Sequence, residues 1–361
     1  MQTLVIISQT LLYLCFSVLM GSFLIGLVPS TYRPAINSSR RLLIICTAGI
    51  PLFAFIPVLE VILYLAPRLG AAESSLSVLT SFTIGKAWGW TLVLAIGLLL
   101  AALLVKEHES ALFNTTGAIL TFLLIVTIAW SSHASSIAPF SGFVGDAIHL
   151  LAMSVWTGIL VIISWRAANT ANWRSFLTWF TPVAALCFIV VTVSGLLLMN
   201  VLIDGYVASW TSPYGQGLLF KHLFVILLLF YAGINGFWVK RKLKNDQGFS
   251  PIRWARLESV VIFMIFAITA AFSQLSPPSE GEMDDPSKLF MLTYGKEIPL
   301  NAAVQLEWSG MGILLLLLAI ACGALLATAF SKQAPRLMVL LLSGVLVLCL
   351  YLALMTSVVL V

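Results

Sequence analysis

The sequence predicts an all-α protein: a polytopic transmembrane helical bundle of about ten helices, with its N-terminus and C-terminus outside. Hydrophobic residues make up 60% of the 361 and charged residues only 9%. A soluble core of this size cannot bury that much apolar surface, so the composition indicates that lipid is the solvent. The net charge of +5 does not indicate nucleic-acid binding, because the basic residues lie in short loops between apolar runs.

Ten apolar runs are long enough, at roughly 20 residues, to cross about 30 Å of hydrocarbon. They fall at residues 4–28, 42–66, 85–105, 111–131, 143–165, 175–203, 215–239, 254–274, 310–331 and 336–360. The first run lacks the basic region and the small-residue cleavage site of a signal peptide. We therefore expect it to be retained as the first membrane helix.

The loops between these runs alternate in basic content, which predicts their orientation. Fourteen of the 19 Lys and Arg lie in or beside the odd-numbered loops. They are Arg33, Arg40, Arg41, Lys106, Arg166, Arg174, Lys240, Arg241, Lys242, Lys244, Arg253, Arg256, Lys332 and Arg336. Because positively charged loops stay in the cytoplasm, the odd loops are predicted to lie inside and both termini outside.

These features divide the chain into four predicted parts. Residues 1–110 carry the first three spans, 111–278 the next five, and 310–361 the last two. Residues 279–309 form a long extracytoplasmic loop that is too polar to enter lipid and has room for a short interfacial helix. Its acidic residues are Glu280, Glu282, Asp284 and Asp285.

Three histidines lie on the predicted outer side of the membrane. Polar groups inside spans are costly to bury, so each is a candidate functional residue. His149 lies about six residues into the fifth span and His222 at a similar depth in the seventh, so we expect both roughly 10 Å below the outer helix ends. His133 lies at the outer end of the fourth span.

Met153 follows His149 by four residues, which places both side chains on one helical stripe. Imidazole and thioether together suit a copper ion, particularly Cu(I), better than the hard cations. A methionine at this spacing is also common in plain helix packing. Asp146, one turn before His149, is expected to orient the imidazole; the alternative is an acidic residue favoured by the helix dipole.

Glu60 is a carboxylic acid inside the second span, after Pro51 and Pro57. Two prolines free backbone carbonyls and bend a helix, as transport pathways often require, although kinks that face lipid are also common. Three roles stay open for Glu60: a metal ligand, a proton acceptor, or an ordinary hydrogen-bonded acid.

The five cysteines show no metal-binding spacing. Cys15, Cys46, Cys187, Cys322 and Cys349 all lie inside apolar runs, without CxxC or CxxxC patterns. This spacing indicates neither a disulfide framework nor a thiolate metal site.

Four segments follow one another between residues 133 and 235. They are His133-Ala134, Gly145-Asp146-Ala147-Ile148-His149-Leu150-Leu151-Ala152-Met153-Ser154-Val155-Trp156-Thr157-Gly158, Val193-Ser194-Gly195-Leu196, and Thr211-Ser212-Pro213-Tyr214-Gly215-Gln216-Gly217-Leu218-Leu219-Phe220-Lys221 continued by Ala232-Gly233-Ile234-Asn235. In this order they resemble the CopD copper-resistance family, over about residues 115–278. Ser132 and Thr157 stand where the family usually has glycine and leucine.

The resemblance implies a multi-pass copper transporter of the bacterial plasma (inner) membrane, which takes copper towards the cytoplasm. It also implies a separate CopC-like extracytoplasmic copper-binding protein as partner. From their positions in the spans, the expected metal ligands are His149, His133, His222, Met153 and Glu60, with Asp146 behind His149. The role of His222 rests on its position alone, because the family often has an aliphatic residue there. We expect no enzymatic activity, since no phosphate loop, paired aspartates, HExxH or nucleophile motif is present.

The main alternative is a b-type haem membrane cytochrome, because two histidines from two helices at one depth are what bis-imidazole ligation needs. Electron transfer across a membrane usually requires a second haem near the other face, and the inner half of the spans carries no histidine. An intramembrane hydrolase or assembly factor is a third possibility, but no motif supports it.

Overall fold

The computed structural model describes residues 1–37, 39–105, 110–203, 205–245, 249–277, 286–295 and 304–360. Its α-helices, numbered in chain order, are α1 (Gln2–Leu27), α2 (Arg40–Leu69), α3 (Ala71–Ser81), α4 (Thr83–Leu104), α5 (Ala111–Trp130), α6 (His133–Ile137), α7 (Ser141–Arg166), α8 (Trp173–Leu202), α9 (Pro213–Gly233), α10 (Val239–Asn245), α11 (Ile252–Phe272), α12 (Lys288–Tyr294), α13 (Gly310–Ser331) and α14 (Arg336–Met355). Within these ranges, ten helices are long and apolar enough to cross a membrane. The predicted all-α fold class and the number of spans are therefore confirmed, whereas the orientation of the termini stays a prediction.

The spanning helices are α1, α2, α4, α5, α7, α8, α9 continued by α10, α11, α13 and α14. A π-helical turn, Ile234–Trp238, joins α9 to α10 without a break. This turn contains Ile234 and Asn235, which belong to the fourth of the segments that resemble the CopD family. Turns of π-helix inside α-helices are frequently found at functional sites.

Three short elements refine the predicted spans. The helix α3 fills what was expected to be the loop after the second span. The long polar loop does carry a short helix, α12, whereas its acidic residues 280–285 lie outside the described residues. The tenth span was predicted to reach residue 360, which is wrong: α14 ends at Met355, and Val358–Leu360 (β2) pairs antiparallel with Val304–Leu306 (β1).

Serine side chains mark where several helices begin. In each case the serine hydroxyl accepts a hydrogen bond from the backbone N–H three residues later, which satisfies a donor that the first helical turn leaves unpaired. These residues are Ser39 before α2, Ser110 before α5, Ser132 before α6, Ser212 before α9 and Ser309 before α13.

The first compact unit comprises Met1–Val201 and Val239–Ser259, and α1 lies at its centre. This helix packs against α2, α5 and α7. Its contact with α7 is very close, because a Cβ placed on Gly158 would lie 2.2 Å from the Ser17 carbonyl oxygen, and one on Gly21 would lie 2.2 Å from the Gly158 carbonyl. Small residues allow this approach of two backbones, as is usual between membrane helices.

The second compact unit comprises Leu202–Trp238 and Val260–Val361. Its helices α13 and α14 form a hairpin, and α14 also packs against α9. Hydrogen bonds join these helices: Tyr231 and Ser343 hydroxyls lie 3.0 Å apart, and the Tyr351 hydroxyl donates to the Gln216 side-chain oxygen at 2.8 Å. Polar pairs of this kind hold membrane helices in register because lipid offers them no other partners.

Candidate metal site

His149 is held between α7 and α8 by a hydrogen bond to Ser194. Its Nδ1 lies 3.1 Å from the Ser194 hydroxyl oxygen, and that hydroxyl lies 2.6 Å from the Val190 carbonyl oxygen. Because a hydroxyl has one proton and the carbonyl can only accept, Ser194 donates to Val190 and accepts from His149. The proton of a neutral His149 ring is then on Nδ1, and Nε2 carries the lone pair, which is the form of imidazole that binds metals.

Gly195 makes room for this imidazole on α8. A Cβ placed on Gly195 would lie 3.3 Å from His149 Cε1 and 3.6 Å from Nδ1. Any larger side chain at this position would press on the ring. The Ser194-Gly195 pair therefore both orients His149 and gives it space, a role that the sequence pattern did not reveal.

Met153 lies one turn further along α7, where α7 meets α1. Its sulfur is 3.8 Å from the Thr157 hydroxyl oxygen, which in turn lies 2.9 Å from the Ser17 hydroxyl oxygen of α1. The Met153 and His149 side chains are both half-buried. The two side chains thus form a stripe along α7, with His149 at the contact with α8 and Met153 near the contact with α1. Their binding of one metal ion stays a prediction.

Asp146 and His133 lie near the same end of α7. Asp146 is half-buried and one turn before His149, and its role in orienting the ring stays a prediction. His133 is exposed and is the first residue of α6. The helix α6 packs tightly on α7, since a Cβ on Gly142 would lie 2.0 Å from the Ala134 carbonyl oxygen. The packing of α6 therefore places His133 beside the beginning of α7, the helix that carries His149.

Glu60 is half-buried on α2, a helix that contains Pro51, Pro57 and a third proline, Pro67. Its neighbours Val58 and Ile62 pack in an apolar cluster with Val78 of α3. Glu60 is thus placed in the first unit, on a helix that packs against α1, and its role as a ligand or proton acceptor stays a prediction.

His222 lies in the second unit and is bonded to Tyr206. Its Nδ1 is 2.7 Å from the Tyr206 hydroxyl oxygen. Burial raises the pKa of Tyr206 to about 12, so the phenol stays protonated at neutral pH. For His222 to bind a metal through Nε2, its Nδ1–H must donate to the Tyr206 oxygen. His222 lies in the second unit and His149 in the first. The predicted pairing of these two histidines stays a prediction.

In the part of the chain that the structure describes, no group of three or more His, Cys, Asp or Glu could hold a metal ion together. What the fold does bring together is His149 with Ser194, and Met153 with Thr157. It also places Cys15 of α1 against the face of α2 that carries Cys46, since a Cβ placed on Gly49 would lie 3.3 Å from the Cys15 sulfur. The spacing of the cysteines contained no sign of this placement.

Ten spanning helices and a polar stripe along α7 define a multi-pass membrane protein with potential metal ligands within the bilayer. The family described as copper resistance protein D matches residues 174–272. The related family described as copper resistance protein D-like, N-terminal domain, matches residues 1–138. The chain belongs to the copper resistance protein D family, a family of copper transport and resistance membrane proteins.

Two curated relatives are similar to about half of the chain. The inner membrane protein YebZ of Escherichia coli (strain K12) is 25% identical over 202 residues, which cover 54% of this chain and 69% of YebZ. The copper transport protein CutJ of Bacillus subtilis (strain 168) is 28% identical over 205 residues, which cover 53% of this chain and 37% of CutJ. No solved structure gives a significant match.

Proposed function

We propose that this protein takes copper from the extracytoplasmic face towards the cytoplasm through a His/Met site on α7. The observation that carries the proposal is the hydrogen bond from His149 Nδ1 to Ser194, which directs the lone pair to Nε2. Copper is the substrate favoured by the chemistry, because imidazole and the thioether of Met153 are both good ligands for it. The similarity to CutJ, a copper transport protein, supports the same substrate.

In this proposal His133 receives copper first, since it is exposed and precedes α7, and His149 with Met153 binds it inside the bundle. Glu60 in the first unit and His222 in the second are each proposed as a further ligand, or in the case of Glu60 as a proton acceptor. A CopC-like extracytoplasmic protein is the proposed donor of the ion. No resident cofactor is required, because copper is the cargo.

The test is elemental analysis and an absorption spectrum of the purified protein, followed by copper uptake into proteoliposomes. We expect bound copper and uptake from the side on which His133 is exposed. A Soret band with stoichiometric iron would instead identify the haem cytochrome considered above. Protein that binds copper but transports none into vesicles would contradict a transport function.

The direction of transport depends on the predicted orientation, which cysteine labelling can test. Asn245 is exposed at the end of α10, in the most basic loop, so Asn245→Cys should react with a membrane-impermeant maleimide only from the cytoplasmic side. Trp308→Cys, exposed just before α13, should react only from outside. The five native cysteines are buried and should give little background. Labelling of Asn245→Cys in intact cells would reverse the assigned topology.

Replacement of His222 tests whether the second unit contributes a ligand. If it does, His222→Ala should weaken copper binding by at least about tenfold. Tyr206→Phe, which removes the partner of Nδ1 but keeps the ring, should then weaken it by a smaller factor. Copper affinity would be measured by competition with a chromogenic chelator. Wild-type affinity in both variants would assign the Tyr206–His222 pair to helix packing alone.

A further inference from the structure

The helices α1 and α2 bring two thiols close together inside the membrane. Cys15 and Cys46 are only 7% and 6% exposed, both are free, and their thiols lie close enough to interact electrostatically. Gly49 follows Cys46 by one turn on α2, and a Cβ placed there would lie 3.3 Å from the Cys15 sulfur. The glycine therefore lets the Cys15 sulfur lie against the face of α2 that carries Cys46.

The number of ligands restricts which metal such a pair can hold. Zinc sites take four ligands as a rule, and calcium and magnesium need six or more oxygens. Cu(I) is a soft ion that binds thiolates well and is stable with two sulfur ligands in a line. In the part of the chain that the structure describes, Cys15 and Cys46 belong to no larger group of His, Cys, Asp or Glu that could hold a metal.

We propose that Cys15 and Cys46 form a two-coordinate Cu(I) site between α1 and α2. This inference rests on the proposed function, since it takes copper as the ion that enters the bundle. Binding replaces one thiol proton: two thiols and one Cu⁺ give a thiolate–Cu(I)–thiol complex and one released H⁺. The complex is neutral, so it carries no net charge into the low-dielectric interior, where an uncompensated ion would be strongly disfavoured.

The site lies on the other side of α1 from the His/Met stripe. Ser17 of α1 contacts Thr157 of α7, which also contacts the Met153 sulfur. Cys15 is two residues before Ser17, about 200° away around the helix, and faces α2. Cys46 is about 9 Å from the beginning of α2, at the predicted cytoplasmic end. The two thiols therefore form a site separate from His149 and Met153, with α1 between them.

The test measures Cu(I) bound by the reduced, full-length protein in competition with a chromogenic Cu(I) chelator. The Cys15→Ser/Cys46→Ser variant should bind one Cu(I) fewer per chain than wild type. The control, Cys187→Ser/Cys322→Ser, also removes two buried thiols but should keep the wild-type stoichiometry. Size-exclusion profiles would verify that all three proteins are folded.

A second measurement does not depend on the cysteine variants. His149→Ala protein loaded with one equivalent of Cu(I) should show copper bound by sulfur alone in X-ray absorption. Nitrogen or oxygen ligands in that spectrum, or unchanged stoichiometry in Cys15→Ser/Cys46→Ser, would overturn the thiol site. If that happens while uptake by wild type is intact, only the thiol site fails; absence of copper binding and uptake in wild type would overturn the proposed function itself.

Discussion

Replacement of His149 by alanine should abolish high-affinity copper binding at the outer site, and copper uptake with it, while the protein stays folded. Loss of the orienting partner of a ligand typically costs 10–100-fold in metal affinity, so loss of the ligand itself should cost more than about a hundredfold. Folding should survive because the ring is half-buried and the serine to which it is hydrogen-bonded, Ser194, keeps its bond to Val190. Uptake into proteoliposomes and chelator competition measure both effects.

Two further variants test whether the loss of copper binding is specific to His149 and its hydrogen bond. Ile148→Ala is the matched control, because this side chain is the neighbour of His149 on α7 but is 44% exposed at the helix surface. It should bind and transport copper as wild type does. Ser194→Ala removes the oxygen that accepts from His149 Nδ1 and should give an intermediate loss of about tenfold. Copper affinity unchanged in His149→Ala would remove this residue from the site.

Replacement of Gly158 by leucine should prevent the protein from reaching its folded state. A Cβ at this position would lie 2.2 Å from the Ser17 carbonyl oxygen and 2.8 Å from the Gly21 nitrogen, both of which are backbone atoms of α1. The side chain can therefore be accommodated only if α1 and α7, the central pair of the first unit, move apart. Overpacking a well-packed core costs typically 1–3 kcal/mol, and separating two backbones should cost at least the upper end of that range.

The yield of monodisperse protein in detergent and its thermal unfolding midpoint measure this effect. The matched control is Gly97→Leu, since a Cβ at Gly97 of α4 meets no atom within 4 Å. It should be recovered at wild-type yield. If Gly158→Leu is also recovered with an unchanged unfolding midpoint, α1 and α7 do not pack as closely as described.

The ten spans could be predicted because the constraint that produces them is local. A helix must supply about 20 apolar residues to cross the hydrocarbon, and this length is visible in any window of the sequence. The serine caps at Ser39, Ser110 and Ser309 are similarly local, since each binds a backbone group three residues away. The end of α14 was predicted less well, because Val358–Leu360 is apolar but pairs with a distant segment.

The candidate residues on α7 could also be recognised from the sequence. His149 and Met153 lie four residues apart, so helix periodicity alone places them on one stripe. The resemblance to the CopD family then indicated copper. What it did not indicate was the partner of the imidazole, since Ser194 is 45 residues away on another helix.

Contacts between helices depend on how each helix is rotated about its axis and where it crosses its neighbours. In a membrane these are determined by small residues and polar pairs, because lipid-facing and protein-facing side chains are almost equally apolar. The sequence pattern therefore contains no signal for the approach of Gly21 and Gly158, for the room that Gly195 gives His149, or for the position of Cys15 against the face of α2 that carries Cys46. Length, composition and charge were enough for the number and type of the helices, whereas the neighbours of each ligand depend on packing between residues far apart in the chain.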